Sequence, residues 1–127
     1  MKVEIEVSPQ KIADMMVTAV ECNDMTRAWC SGFHRKAGPR RKPGAGIWYS
    51  IPEFWAGEFR VDVIEFDETG NSADRVHTLD RVAVEQGIAI MADKHPKHFA
   101  DWLADDYDAI TADVFLQCCV LKEVVYG

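Results

Sequence analysis

The chain has 127 residues, enough for one domain with its own core, and its 48% hydrophobic and 28% charged content excludes wholesale disorder. A net charge of −7 excludes a general nucleic-acid coat, which is normally basic. The longest apolar runs, such as Ile88 to Ala92 and Cys118 to Leu121, fall far short of the ~18 residues a membrane span requires.

In chain order, residues 2–7 place Val3, Ile5 and Val7 on one face and Lys2, Glu4 and Glu6 on the other, which predicts a half-buried strand. That alternation lacks the continuous apolar stretch of an export signal, so a cytoplasmic location with reduced Cys22, Cys30, Cys118 and Cys119 is expected. Ser8-Pro9 is a cap followed by proline at the first helical position, and Ile12, Met15, Met16, Ala19 and Val20 form one apolar helical stripe. Asn23-Asp24 predicts its end. Residues 25–33 suit a short helix or a strand equally.

Two prolines and three glycines between Ala37 and Gly46 predict a loop, which with the preceding bases makes a mobile basic segment at about 35–46. Trp48, Tyr49, Phe54 and Trp55 follow, interrupted by Pro52. Residues 58–67 alternate through Phe59, Val61 and Val63 and then slip phase at Ile64 and Phe66, which predicts a bulged strand. A turn at 68–71 and a short returning strand from Arg75 to Leu79 complete a hairpin. Beyond it the period becomes helical. Val84, Ile88 and Met91 mark one helix, His95-Pro96 divides it from a second with Phe99, Trp102 and Leu103, and Asp108 caps a third. The apolar face of this last helix is expected to comprise Ile110, Val114, Phe115, Cys118 and Leu121. The expected fold is a single α+β domain over residues 1–127, with an antiparallel sheet of about three strands, about four helices, and a helical C-terminal half.

Charge is distributed unevenly. Residues 35–42 contain Arg35, Lys36, Arg40, Arg41 and Lys42 and no acid, whereas residues 99–121 contain Asp101, Asp105, Asp106, Asp108 and Asp113 and no Lys or Arg. The acids suit a solvated, dipole-compatible helix start, a phosphate-mimicking surface for the basic groove of a nucleic-acid-binding protein, or a divalent-cation site. The basic segment with Trp48 and Tyr49 suits an exposed loop beside core aromatics, a protein interface, or single-stranded nucleic acid held by phosphate contacts and stacking. Cys22, Cys30 and His34, or His95 and His98, lack the paired spacing of structural zinc ligands, and Cys30 near His34 is the sole arrangement suggesting a thiol nucleophile. No phosphate-binding loop, dinucleotide fingerprint or nucleophile elbow occurs, so neither a cofactor nor a resident metal is expected.

Thr78-Leu79-Asp80, Pro96-Lys97-His98-Phe99, Asp113 to Gln117 and Glu123 to Gly127 together form a pattern. It resembles that of a group of short proteins encoded by tailed phages and prophages, over about the last 50 residues. The resemblance implies origin rather than activity, since the group carries no assigned function, and the basic segment 35–42 is not part of it. The expectation is a non-catalytic phage accessory protein that binds a host macromolecule. An anti-CRISPR-like inhibitor would use Asp101, Asp105, Asp106, Asp108 and Asp113, with Arg40, Arg41 and Lys42 as a second contact. The alternative is a nucleic-acid or nucleotide binder using Arg35, Lys36, Arg40, Arg41, Lys42, Trp48 and Tyr49. Oligomeric state is left open, because the Val124-Val125-Tyr126 tail suits either an added strand or a return to the core.

Overall fold

The first helix starts where the sequence predicts. Ser8 Oγ accepts from the Lys11 N–H at 3.2 Å, Pro9 occupies the first turn, and helix α1 (Pro9–Val20) buries Ile12, Met15, Met16 and Ala19. The structure is a computed structural model that describes residues 5–40, 42–66 and 75–127. The strand expected at 2–7 lies partly outside these residues, and its described part, 5–7, is irregular, with Ile5 half exposed. Alternation makes a segment compatible with a sheet, but a ladder partner is needed to make it a strand. Among the described residues, neither sheet edge supplies one.

The ambiguous region resolves into both options. Asn23 Oδ1 accepts from Thr26 N to start a single-turn helix α2 (Asp24–Arg27), and strand β1 (Cys30–Ala37) follows. β1 carries the chain three residues into what composition predicts to be loop. Arg35 and Lys36 therefore sit on a strand, and the irregular basic segment starts at Gly38. A 3-10 turn over Trp48–Ser50 and helix α3 (Pro52–Ala56) come next. Pro52 begins this helix instead of breaking the aromatic stretch, because proline at a first turn forfeits no hydrogen bond. Ring centroids of Phe54 and Trp55 are 5.0 Å apart and those of Trp55 and Phe59 4.9 Å, so the aromatic run becomes one corner of the core.

Strands β2 (Arg60–Glu65) and β3 (Arg75–Asp80) form the expected hairpin, and the sheet is antiparallel in the order β1-β2-β3. The expected turn at 68–71 lies outside the described residues. The bulge predicted in β2 is absent: β2 and β3 stay in unbroken register from Arg60↔Asp80 to Glu65↔Arg75. The irregularities belong to β1, between Cys30 and Gly32 and between Arg35 and Ala37. The phase slip at Ile64 has another cause. The inward position after Val61 and Val63 is occupied by buried Glu65, whose carboxylate finds partners described below. One sheet face packs Val61, Val63 and Leu79 against the helices, and the other presents His34, Lys36, Arg60, Val76 and Thr78 outward, as expected for a half-covered antiparallel sheet.

Asp80 closes β3 and caps helix α4 (Arg81–Lys94), accepting from Ala83 N at 2.9 Å. Pro96 starts α5 (Pro96–Leu103), which buries Phe99 and Trp102. Asp108 Oδ1 accepts from Thr111 N at 3.1 Å and starts α6 (Ala109–Val120). The expectation of one apolar face on α6 is too narrow: residues 111–120 are all buried, whereas Ile110 is 49% exposed. A helix buried on every side is the axis of the core, and α4, α1, α5 and α2 pack around it. The fold is thus α+β with a helical C-terminal half, and it has six α-helices among the described residues where about four were expected. Among the described residues no helix is long and apolar enough to cross a membrane.

Candidate functional site

The carboxylates expected to form one acidic surface separate into two environments. Asp105, Asp106 and Asp108 lie in the turn between α5 and α6 and are exposed, with Asp101 half-buried on the last turn of α5. The turn closes through Asp105 N–H to Trp102 O at 3.0 Å and Asp106 N–H to Asp101 O at 2.9 Å, and Asp105 takes a left-handed backbone, φ 56°. Lys11 of α1 anchors it, donating to Asp105 Oδ1 at 2.8 Å and to Leu103 O at 3.3 Å. Asp108 is held below the usual carboxylate range, first by the Thr111 backbone N–H it caps.

Tyr107 sits half-buried at the centre of this turn, against Thr18 and close to Asp14 and Asp105. Burial first, then those two carboxylates, push its hydroxyl up. Asn23 Nδ2 donates to Thr18 O at 3.2 Å and Ala109 O at 3.0 Å, tying the start of α2 to the start of α6. That tie brings exposed Asp24 and Met25 beside exposed Ile110. Exposed Asp105, Asp106 and Asp108 thus flank Tyr107, Asp14 of α1 lies close to it, and α2 with exposed Asp24 and Met25 packs on α6, whose first turn exposes Ile110. Asp14, Asp24, Met25 and Tyr107 were missed in the sequence because α1 and α2 come near the turn only when they pack on α6. Exposed carboxylates with exposed apolar side chains nearby are what a protein-binding patch offers.

Asp113 does not belong to that surface. It is 5% exposed, and its carboxylate accepts from Thr26 Oγ1 at 2.9 Å, Trp29 Nε1 at 2.8 Å and Gln117 Nε2 at 2.7 Å. On α6 it lies more than a turn past the cap, on a helix with no wet side, so it serves the interior. Gln117 extends the network: its Oε1 accepts from Val125 N at 2.9 Å and Tyr126 N at 3.0 Å, and its Nε2 donates to Tyr126 O at 2.9 Å. The Tyr126 ring stacks on Trp29, 5.9 Å between centroids and 4° from parallel, and its hydroxyl donates to Glu65. His77 Nε2 meets Glu65 Oε1 at 2.7 Å. Burial alone would push the Glu65 carboxyl up, but hydrogen bonds from Tyr126 and His77, with the charges of His77 and Arg75, outweigh it and hold the carboxyl low. The tail returns to the core, and the polar residues of the DVFLQ and Tyr-Gly pattern are what clamp it.

The basic segment is dispersed. Arg35 Nη2 donates to Gly38 O at 2.7 Å with its guanidinium 5.9 Å from the Phe54 ring centre, and Lys36 meets Asp62 at 3.8 Å. Arg40 and Lys42 are exposed, while Arg41 lies outside the described residues. Of the expected stacking platform, Tyr49 is a core side chain and Trp48 is half-buried against the core. Trp48 lies 5.0 Å from Phe54, and buried Tyr49 donates to Glu21 Oε2 at 2.8 Å, its hydroxyl pushed up to about 12 by burial and by that carboxylate. A base cannot stack on the enclosed Tyr49 ring.

Cys30 faces the core and burial pushes its thiol up to about 11, whereas His34 lies on the outer face of the sheet, so the two do not form a nucleophile and base. Cys118 and Cys119 are buried core thiols, pushed up by desolvation. His98 Nδ1 is 2.8 Å from Thr111 Oγ1. Among the described residues no group of three His, Cys, Asp or Glu side chains stands close enough to share a metal ion. A cleft of about 880 Å³ lies between segment 5–9, α1, α3 and α4, lined by Val7, Ile12, Trp55, Phe59, Val84 and Ile88. Arg81, at this cleft, is committed to Ala56 O at 2.7 Å and Gly57 O at 2.9 Å. Comparison with protein-family models, curated proteins and solved structures finds no match for this chain.

Proposed function

We propose that this chain is a non-catalytic phage accessory protein that acts in the host cytoplasm by occupying a basic, nucleic-acid-binding surface of a host defence protein. The observation carrying this reading is the acidic turn at residues 105–108 with exposed apolar side chains nearby. Three exposed carboxylates lie within four residues, Asp14 and Asp24 extend them, and Met25, Ile110 and Tyr107 supply contact area that a solvated helix start does not need. A groove that binds phosphates is selected for by negative charge, and a net charge of −7 adds long-range attraction. The proposed origin rests on the resemblance of the C-terminal pattern to that of phage proteins. The enclosure of Cys30 counts against thiol catalysis, and that of Tyr49 against a two-ring stacking platform for bases.

The test combines Asp106→Lys and Ile110→Asp, leaving the Asp108 cap and the Lys11–Asp105 contact in place. The wild-type chain is expected to retain a nucleic-acid-binding host protein from lysate, to be displaced from it by double-stranded DNA, and to inhibit its DNA binding. The variant is expected to bind more than about tenfold more weakly at an unchanged unfolding midpoint. Equal retention by the variant, or indifference to competing DNA, would show that this surface is not the interface.

A further inference from the structure

β1 is an edge strand of the sheet, paired along one side only, with β2. From His34 to Ala37 every residue of β1 is exposed. Among the described residues no strand pairs with its outer side. Such an edge presents backbone donors and acceptors that an extended chain can complete.

Charge selects what would add there. Between Met25 and Pro52 the sequence contains Arg27, Arg35, Lys36, Arg40, Arg41 and Lys42 and no Asp or Glu, in a chain whose net charge is −7. Among the described residues Arg40 and Lys42 pair with no acid, and Lys36 meets Asp62 only at 3.8 Å. We infer that the β1 edge is a docking site for an extended acidic segment of a partner protein, which adds as a fourth strand with its carboxylates against His34, Lys36, Arg40 and Lys42. A second copy of β1 is rejected there, because it would bring the same cations face to face. Nucleic acid fits less well, because the outer side of a strand offers a row of backbone donors and acceptors that another extended polypeptide matches and a phosphate chain does not. The register irregularities at either end confine regular pairing to residues 32–35, so the segment that fits is short, on the order of four to six residues.

The test titrates the full chain into a labelled alternating Thr-Glu peptide at low salt and follows fluorescence anisotropy. Saturable binding is expected, with increased amide-exchange protection at residues 32–35. The same peptide N-methylated on alternate residues keeps its charge but loses its ladder donors, and it is expected to bind at least about tenfold more weakly. The exposed-loop variant R40E/K42E is expected to weaken binding by a similar factor, whereas the acidic-turn variant described above is expected to leave it unchanged. Absence of peptide binding, equal binding of the N-methylated peptide, or tighter binding of an oligothymidylate of equal charge would overturn the proposal. So would concentration-dependent self-association protecting residues 32–35.

Discussion

At the scale of single residues, Asp113 shows how one carboxylate can be read correctly for type and wrongly for place. In sequence it is one of five acids in a segment without bases. In the fold it satisfies a threonine hydroxyl, an indole N–H and a glutamine amide in a site water does not reach. Replacing it with alanine leaves those donors unpaired, and a buried donor without an acceptor costs the full desolvation penalty of the group. Asp113→Ala is expected to destabilise the chain by about 3 kcal/mol, measured as a lower urea midpoint at unchanged slope. Asp113→Asn keeps one acceptor and is expected to cost less. The Asp106 substitution, by contrast, is expected to leave the midpoint within about 0.5 kcal/mol, because an exposed side chain without a partner seldom matters more.

Among the elements, α6 sets the constraint on its neighbours. Its close approach to α4 is made possible by Gly87: a Cβ there would lie 2.5 Å from Cys119 Cα and 2.7 Å from Cys119 N, closer than backbone can be approached. Glycine inside a helix normally costs about 1 kcal/mol relative to alanine, so on propensity alone Gly87→Ala should stabilise α4. The clash is with main chain, which cannot rotate away, and overpacking of this kind costs roughly 1–3 kcal/mol plus lost α4–α6 contact. Gly87→Ala is expected to lower the thermal midpoint, and Ala89→Gly, at an exposed position of the same helix, to lower it less. β1 is the counter-case of an edge element, joined to the sheet along one side and exposed from His34 to Ala37.

For the molecule as a whole, the interior and the surface divide the chemistry between them. Cys30, Cys118 and Cys119 are enclosed, while Cys22 is exposed. One thiol per chain is expected to react rapidly with an aromatic disulfide reagent, and the other three only at the rate of unfolding, with all four reacting at once in denaturant. A second fast thiol in the native chain would mean local opening, at the start of β1 if it is Cys30 and around α6 if it is Cys118 or Cys119. The surface, in turn, is polar in the electrical sense: the acidic patch joins α1, α2 and the α5–α6 turn, and the cation-only stretch runs along β1 and the loop after it.

Much of the helical half was legible in the sequence. Ser8, Asp80 and Asp108 are caps by type and spacing, Pro9 and Pro96 start helices, and the stripes of α1 and α5 face the core as their spacing requires. These signals act over three or four residues, so the chain carries them locally. The candidate site was legible in part: Asp105, Asp106 and Asp108 are where their composition suggests, but Asp24 and Met25 approach them through the Asn23 to Ala109 contact, 86 positions apart, and Asp14 through the packing of α1 that also pairs Lys11 with Asp105.

What the sequence by itself determined is therefore the class of fold, the helix starts and the uneven charge, because each is a property of neighbouring residues. Only the tertiary structure decided that β1 and not residues 5–7 joins the sheet, that the bulge lies in β1, that Tyr49 is core with Trp48 half-buried against it, and that Asp113 is interior. Each of those outcomes depends on a partner far along the chain, such as Trp29 meeting Asp113 across 84 positions, and the loop closure that brings such partners together leaves no periodic trace in the sequence.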